Sequence, residues 1–233
     1  MFDQMSKEKA IVLLSSGLDS SINLCQALDK YDVVMALTFD YGQKAAKKEI
    51  QQSKKISDYF NIKHKVMSLS WISELSNSSL TSKELNIPIG DQVQINNYSN
   101  SKKTAKSVWV PNRNGLFINI AAVFADSIQE PVTIVPGFNK EEAATFPDNS
   151  SDFIQAINHS LQFSTSNEVK TYCFTLELDK TEIVKVGITY KFPFDLIWPC
   201  YFDLDKWCGQ CESCKRAANA FKNCNLDMKE YFV

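Results

Sequence analysis

Only two histidines, His64 and His159, occur in 233 residues, so a mechanism driven by imidazole is disfavoured. No apolar run approaches the roughly 18 residues needed to cross a bilayer, and no membrane partner is expected. The start of the chain has no charged stretch followed by an apolar one, which predicts no secretory signal and a cytoplasmic protein. Cationic excess is also missing. A formal net charge of −2 excludes stable nucleic-acid binding by general electrostatics, which needs clustered Lys and Arg against phosphates. The chain contains neither the lysine-bearing Walker loop nor the three-glycine dinucleotide fingerprint.

What is present suits a globular chain. Hydrophobic residues make up 44% and charged residues 22%, and 233 residues fit a single domain, with no repeat or linker to divide it. Apolar runs at Ala10 to Leu14, Val33 to Phe39, His64 to Leu69, Val132 to Val135 and Cys173 to Leu178 read as strands. Helical spacing begins at Ile22, and further helices are expected near 45–60, up to about Ser127, near 151–163 and from Asp179-Lys180-Thr181-Glu182. The alternation predicts an α/β fold with a doubly wound, mostly parallel sheet whose ligands lie beyond the strands' carboxyl ends. Between Ser70 and Ser107 the pattern dissolves into Ser, Asn, Lys and Gln, as expected of a mobile lid or a disordered segment.

Leu14-Ser15-Ser16-Gly17-Leu18-Asp19-Ser20 stands between the first strand and the first helix. Gly17 lets the backbone bend toward a ligand, and serine hydroxyls with helix N-terminal N–H groups form an anion site without a fixed positive charge. A plain N-cap cluster has the same composition.

Cysteine placement says more than cysteine number. Cys200, Cys208, Cys211 and Cys214 fall within fifteen residues, while Cys25, Cys173 and Cys224 stand alone. Two C-x2-C steps plus Cys200 match a four-sulfur zinc site, a knuckle spanning about 198–222; an iron–sulfur cluster uses the same ligands. Four protein sulfurs leave no position for substrate, so the metal is expected to be structural. Gly209 bends this segment, and Lys215 and Arg216 offset the negative charge of a zinc tetrathiolate.

The serine loop resembles the S-G-G-x-D-S loop of the ATP pyrophosphatase (PP-loop) superfamily, whose fold is adenine nucleotide alpha hydrolase-like, with Ser16 where Gly is usual. A side chain there is tolerable if φ stays negative, though it narrows the pocket. Together with Phe39-Asp40-Tyr41-Gly42-Gln43, Val110-Pro111-Asn112-Arg113-Asn114, Trp198-Pro199-Cys200-Tyr201 and Cys208 to Arg216, the loop resembles the 7-cyano-7-deazaguanine synthase (QueC) family from residue 10 to about 222. A divergent branch is indicated by Glu141-Glu142-Ala143-Ala144-Thr145-Phe146-Pro147-Asp148, where many members carry S-G-Y-P-D-C.

The resemblance implies an ATP-dependent C–N ligase, a homodimer, that converts 7-carboxy-7-deazaguanine and ammonia to the nitrile in queuosine and archaeosine precursor synthesis. It implies structural Zn²⁺ on the four cysteines and ATP with Mg²⁺. ATP would be held by Leu14, Ser15, Ser16, Gly17, Leu18, Asp19, Ser20, Ser21, Ile22, Asn23, Leu24 and Lys180, and its adenine read near Ala36 to Thr38. Asp19, Ser20 and Arg113 are the expected catalytic residues, with Asp19 helping to place Mg²⁺. Arg113 suits a phosphate or carboxylate through its planar fork, but could instead cap a strand or pair at the surface; Lys180 is either a phosphate ligand or an exposed first-turn lysine. Glu141, Glu142 and Asp148 are all eligible to accept the adjacent N–H donors of a guanine-like ring, or to take a proton from ammonium. A related AMP-forming amide ligase, a tRNA-modifying PP-loop enzyme and a non-catalytic zinc-knuckle binding module are the other readings.

Overall fold

The computed structural model describes residues 7–233; the expectation about a secretory signal falls partly on residues 1–6, outside the described residues. Five strands, β1 (Lys9–Leu13), β2 (Asp32–Asp40), β3 (His64–Ser68), β4 (Val132–Val135) and β5 (Val169–Thr171), form one sheet in the order β3-β2-β1-β4-β5. Every pairing is parallel. In the central strands Ala10, Ile11, Val12, Ile134 and Val135 are fully buried, as expected of a sheet covered on both faces.

The covering helices are α1 (Leu18–Lys30), α2 (Ala46–Tyr59), α3 (Trp71–Leu75), α4 (Tyr98–Val108), α5 (Arg113–Asp126), α6 (Lys140–Ala143), α7 (Ser151–Ser164), α8 (Lys180–Thr189) and α9 (Glu212–Asn223). No helix among the described residues is long and apolar enough to cross a membrane. The chain leaves β1 toward β2 on one side and returns to β4 on the other. The topological switch point therefore lies between β1 and β4, where a crevice opens at the carboxyl ends of the strands.

Three expectations are corrected. Helix α1 begins at Leu18, four residues before the first periodic position, because Gly17 (φ −65°, ψ 163°) makes an extended N-cap; Asp19 thereby sits in its first turn. The fifth strand is Val169–Thr171 and not the apolar run from Cys173 to Leu178. Pairing with β4 stops where Tyr172 N–H donates to the Ile134 carbonyl at 2.9 Å, just before Pro136 removes the next N–H. Beyond it the chain turns, with Leu178 N–H bonded to the Thr175 carbonyl and the Thr175 hydroxyl donating to the Phe138 carbonyl.

The third correction concerns Ser70 to Ser107, which is folded rather than featureless. Besides α3 and α4 it holds a short 3-10 turn at Gly90–Gln92. Its interior uses hydroxyls: Ser76, Ser78, Ser79 and Thr81 are buried with Leu80, Ile87 and Val93. Ser79 N–H closes the segment on the Ser107 carbonyl, and the segment is tied to the rest of the chain by Lys44 N–H to the Leu80 carbonyl and Gly90 N–H to the Gln210 carbonyl, among other bonds. Only 83–86 forms a continuous exposed stretch between Leu80 and Ile87. Limited trypsin digestion of the folded protein is thus expected to cut this region first at Lys83, well before Lys102, Lys103 and Lys106 in α4; equally early cleavage at all four lysines, read by mass spectrometry, would contradict the packing.

Candidate functional site

A cleft of about 220 Å³ opens at the switch point, lined by Ser15, Gly17, Leu18, Asp19 and Ser20 on one side. The loop is held by its own hydroxyls. Ser20 Oγ accepts from Ser15 N–H at 3.2 Å and lies 3.1 Å from Ser15 Oγ, while Gly17 N–H approaches Ser15 Oγ at 3.4 Å. The start of α1, a helix of 13 residues, supplies the free N–H groups and positive dipole end that suit an anion. Close approach across the crevice requires glycine at position 137, because a Cβ there would lie 2.5 Å from Ser20 N.

Ser16 departs from expectation. Its φ is +59°, in the left-handed region that explains why glycine is usual here. The residue is fully buried and does not line the cleft; its hydroxyl donates to the Ser15 carbonyl at 2.6 Å, and its own carbonyl accepts Trp198 N–H at 2.8 Å. The side chain therefore does not narrow the pocket.

Asp19 is the most constrained group. It is 8% exposed, and Oδ2 accepts from Lys180 Nζ at 2.6 Å and Asn139 Nδ2 at 3.0 Å, while Oδ1 is buried with no protein partner among the described residues. Burial pushes its carboxyl up to about 6, with Glu142 adding to the rise and Lys180 and Asn139 opposing it. An orphaned buried carboxylate oxygen facing a phosphate-sized loop fits an oxygen-seeking divalent cation.

Lys180 is not the exposed first-turn lysine that its position allowed. It is 6% exposed, lines the cleft, and donates to both Asp19 and Glu142 Oε1, the latter at 2.9 Å. Burial pushes Glu142 up, but Lys180, Asn139 and Arg216 hold it below the usual carboxylate range. Glu141 separates from its neighbour and does not line the cleft, its carboxylate engaged by Arg216 and by Lys180 N–H.

Across the cleft Arg113 opens α5, following Asn112 in the left-handed region at φ +50°. Its Nη1 donates to the Tyr41 hydroxyl and Nε to Asn114 Oδ1, both at 3.3 Å, and Nη2 has no protein partner among the described residues. Neither strand capping nor surface pairing describes it. Burial pushes the Asp148 carboxyl up while Arg113 pulls it down, and Asp148 also faces the cleft. Trp109 and Phe146 form a stacked aromatic wall, ring centres 6.0 Å apart and 8° from parallel.

Some predicted contacts turn inward. Ile22 and Leu24 are core residues; Ser21 is buried, and Asn23 binds the Asp19 carbonyl and the Cys173–Thr175 turn. His64 bonds Thr38 Oγ1 at 2.8 Å and His159 packs against Phe163; neither lines the cleft. Leu37 and Thr38, where the adenine edge was expected, do line it.

Asn139 and Glu49 were missed. Asn139 lies just past β4 at the same sheet edge as the serine loop, a positional signal that its neutral side chain obscured. Glu49 sits on the cleft wall and accepts from Gln43 Nε2 at 2.8 Å. Burial pushes it up to about 7, Asp40 adding to the rise and Gln43 and Arg113 opposing it.

The four cysteine sulfurs all lie within 4.8 Å of one another, with Cys208 and Cys214 Sγ 3.9 Å apart. Metal–sulfur bonds of about 2.3 Å give a tetrahedron with edges of about 3.8 Å, so the cluster fits a four-sulfur ion. Backbone N–H groups of Gln210 and Cys211 point at Cys208 Sγ, and that of Cys208 at Cys200 Sγ, as thiolates require.

A doubly wound parallel sheet, with a serine-lined helix N-terminus at its switch point and a cysteine knuckle beside it, defines an α/β protein built to hold an anionic ligand. Residues 9–225 match the family described as queuosine biosynthesis protein QueC, and the chain belongs to that family. It is 50% identical over 226 residues to a 7-cyano-7-deazaguanine synthase from Bdellovibrio bacteriovorus, covering 97% of each chain. Similar proteins of the same name occur in Carboxydothermus hydrogenoformans, 48% identical over 91% of this chain and 98% of that one, and in Methanosarcina barkeri, 46% identical over 94% and 95%.

Two outcomes follow from the loop and the buried carboxylates. Ser16→Gly is expected to retain the melting temperature, whereas Ser16→Val, a β-branched side chain at positive φ, costs about 1–2 kcal/mol; equal melting temperatures for the two would contradict the strained geometry. Glu49 binds its proton more tightly folded than unfolded, where a glutamate titrates near ~4.3. The stability it contributes is complete below that value and is lost as pH rises through about 7. The ligand-free protein should therefore melt lower at about pH 8 than at about pH 5, and Glu49→Gln should flatten that slope in a thermal scan.

Proposed function

We propose that this chain carries out the reaction for which its relatives are named, forming 7-cyano-7-deazaguanine from 7-carboxy-7-deazaguanine, ammonia and ATP. The observation that carries the reading is the Asp19–Lys180–Glu142 group beneath the serine loop, in a chain half identical over nearly its whole length to a protein of that name. In this reading residues 1–233 are a single PP-loop domain with its zinc knuckle at about 198–222.

The chemistry must replace an oxide leaving group. The substrate carboxylate attacks the α-phosphorus of ATP, pyrophosphate departs, and the resulting AMP ester accepts ammonia to give the amide and AMP. A second adenylation on the amide oxygen, followed by loss of AMP and a proton, leaves the nitrile. Ser15, Gly17 and Ser20 with the start of α1 would hold the departing pyrophosphate, and Lys180 would offset its charge. Mg²⁺, when bound, would neutralise phosphate charge, with the unpartnered Asp19 Oδ1 as its protein ligand. Arg113 would use its free Nη2 on the α-phosphate or the substrate carboxylate.

Trp109 and Phe146 supply a flat wall for the deazaguanine ring. Asp148 is better suited than Glu142 to accept the ring's paired N–H donors, since Glu142 is already spent on Lys180. Glu49, whose proton affinity burial raises to about 7, is suited to accept a proton from ammonium near neutral pH.

The metal is structural Zn²⁺ in this proposal, supported by four sulfurs that close the coordination shell. Cytoplasmic location and a homodimer belong to the same proposal. The α5 outer face supports a second copy as its cover: Val123 is 71% exposed there beside the half-buried Ile120 and Phe124.

Purified protein given 7-carboxy-7-deazaguanine, ATP, Mg²⁺ and ammonium should yield the nitrile and AMP by mass spectrometry. Asp19→Asn should lower the rate by about 100-fold or more, as expected for a group placed at the developing charge. Accumulation of amide alone would indicate a related ligase, and absence of AMP would overturn the catalytic reading.

A further inference from the structure

Arg216 lies two residues past Cys214 on α9, with its side chain 11% exposed. Its guanidinium does not reach the cleft. Nη1 donates to Glu141 Oε2 at 2.6 Å, and Nε and Nη2 donate to Glu212 Oε1 at 3.2 and 2.9 Å. Nη2 also approaches Ser101 Oγ at 3.5 Å, and Glu212 Oε2 accepts from Thr104 Oγ1 at 2.7 Å, so α4 shares the same junction.

The other oxygen of Glu141 is the informative one. Oε1 accepts the backbone N–H of Lys180 at 2.9 Å, one of the unpaired donors at the start of α8. A single carboxylate thus joins α9 to the residue whose Nζ reaches Asp19 in the serine loop. Without Arg216, Glu141 would lose its ion-pair partner and would be drawn toward water and away from the Lys180 amide.

We propose that Arg216 is a positioning residue for the ATP site: through Glu141 it fixes the Lys180 backbone, and thereby the ammonium group that meets Asp19, coupling the cysteine-bearing helix to the phosphate loop. This rests on the reading of the cleft as the ATP site. Planar, multidentate arginine suits the role because acceptors on α4, α6 and α9 are met at once. Glu141, eligible on sequence for contact with the base, acts here from outside the cleft.

The test uses the full chain with its cysteine cluster metal-loaded, reading MgATP affinity by calorimetry and the KM for ATP against kcat. Arg216→Ala should raise the KM for ATP and weaken MgATP binding about tenfold, the loss of one charge-assisted hydrogen bond. The KM for the carboxylate substrate and the bound metal should be unchanged, and Arg216→Lys should recover part of the loss. Glu141→Gln should shift the KM for ATP in the same direction, and adding it to Arg216→Ala should produce no further loss, because both act through one contact.

An unchanged KM for ATP in folded, metal-retaining Arg216→Ala overturns the proposal, as do additive effects of the two substitutions. Should Arg216→Ala fail to fold, Glu141→Gln decides alone, an unchanged KM for ATP overturning the idea. Failure of the unaltered protein to bind MgATP would instead overturn the assignment of the cleft itself.

Discussion

The ion pair between Lys180 and Asp19 is the constraint on which the site depends. Its atoms are 2.6 Å apart with side-chain exposures of 7% and 10%, so neither charge has water to fall back on. Removing one partner of such a pair leaves an uncompensated buried charge and costs about 3–5 kcal/mol. The pair joins the first turn of α1 to the first residue of α8, 161 positions later in the chain. Glu142 and Asn139, just past β4, complete the group. All of these positions lie at the carboxyl edge of the sheet, which is why a parallel topology with its switch between β1 and β4 can bring them together.

The shared charge leaves one deficiency that has chemical use. Two carboxylates share one ammonium, Asp19 Oδ1 has no protein partner among the described residues, and a nearby serine loop offers donors without a cation. Such a site gains from a ligand that brings phosphate and a divalent cation together. The cysteine cluster stands outside this group but is connected to it by hydrogen bonds through α9. Lys215 Nζ also donates to the carbonyls of Gly90 and Val93, so the same helix anchors the polar segment beside the cleft.

What could be read from the sequence was what is local. The two C-x2-C steps announce their geometry through spacing alone and the central strands through continuous apolar runs, whereas the serine loop was legible through its resemblance to the superfamily loop, the left-handed Ser16 excepted. For Lys180 the sequence left a phosphate ligand and an exposed first-turn lysine both open, because its burial depends on Asp19 and Glu142, which are distant in the chain. The segment from Ser70 to Ser107 misleads because its interior is rich in Ser and Thr, with the hydroxyls of Ser76, Ser78 and Thr81 bonded to neighbouring backbone, so its composition imitates a loop. The run from Cys173 to Leu178 has a strand's composition but lacks a partner beyond Pro136. Glu141 and Glu142 are adjacent in sequence and separate in space because α6 points one carboxylate at Lys180 Nζ and the other at Arg216.

A structure of the protein with a non-hydrolysable ATP analogue and Mg²⁺ tests the central claim most directly. The account predicts the terminal phosphates over Gly17 to Ser20, Lys180 within hydrogen-bond distance of them, and a metal ion on Asp19 Oδ1. Phosphates bound elsewhere, with the Lys180–Asp19 contact intact and the serine loop empty, would contradict it.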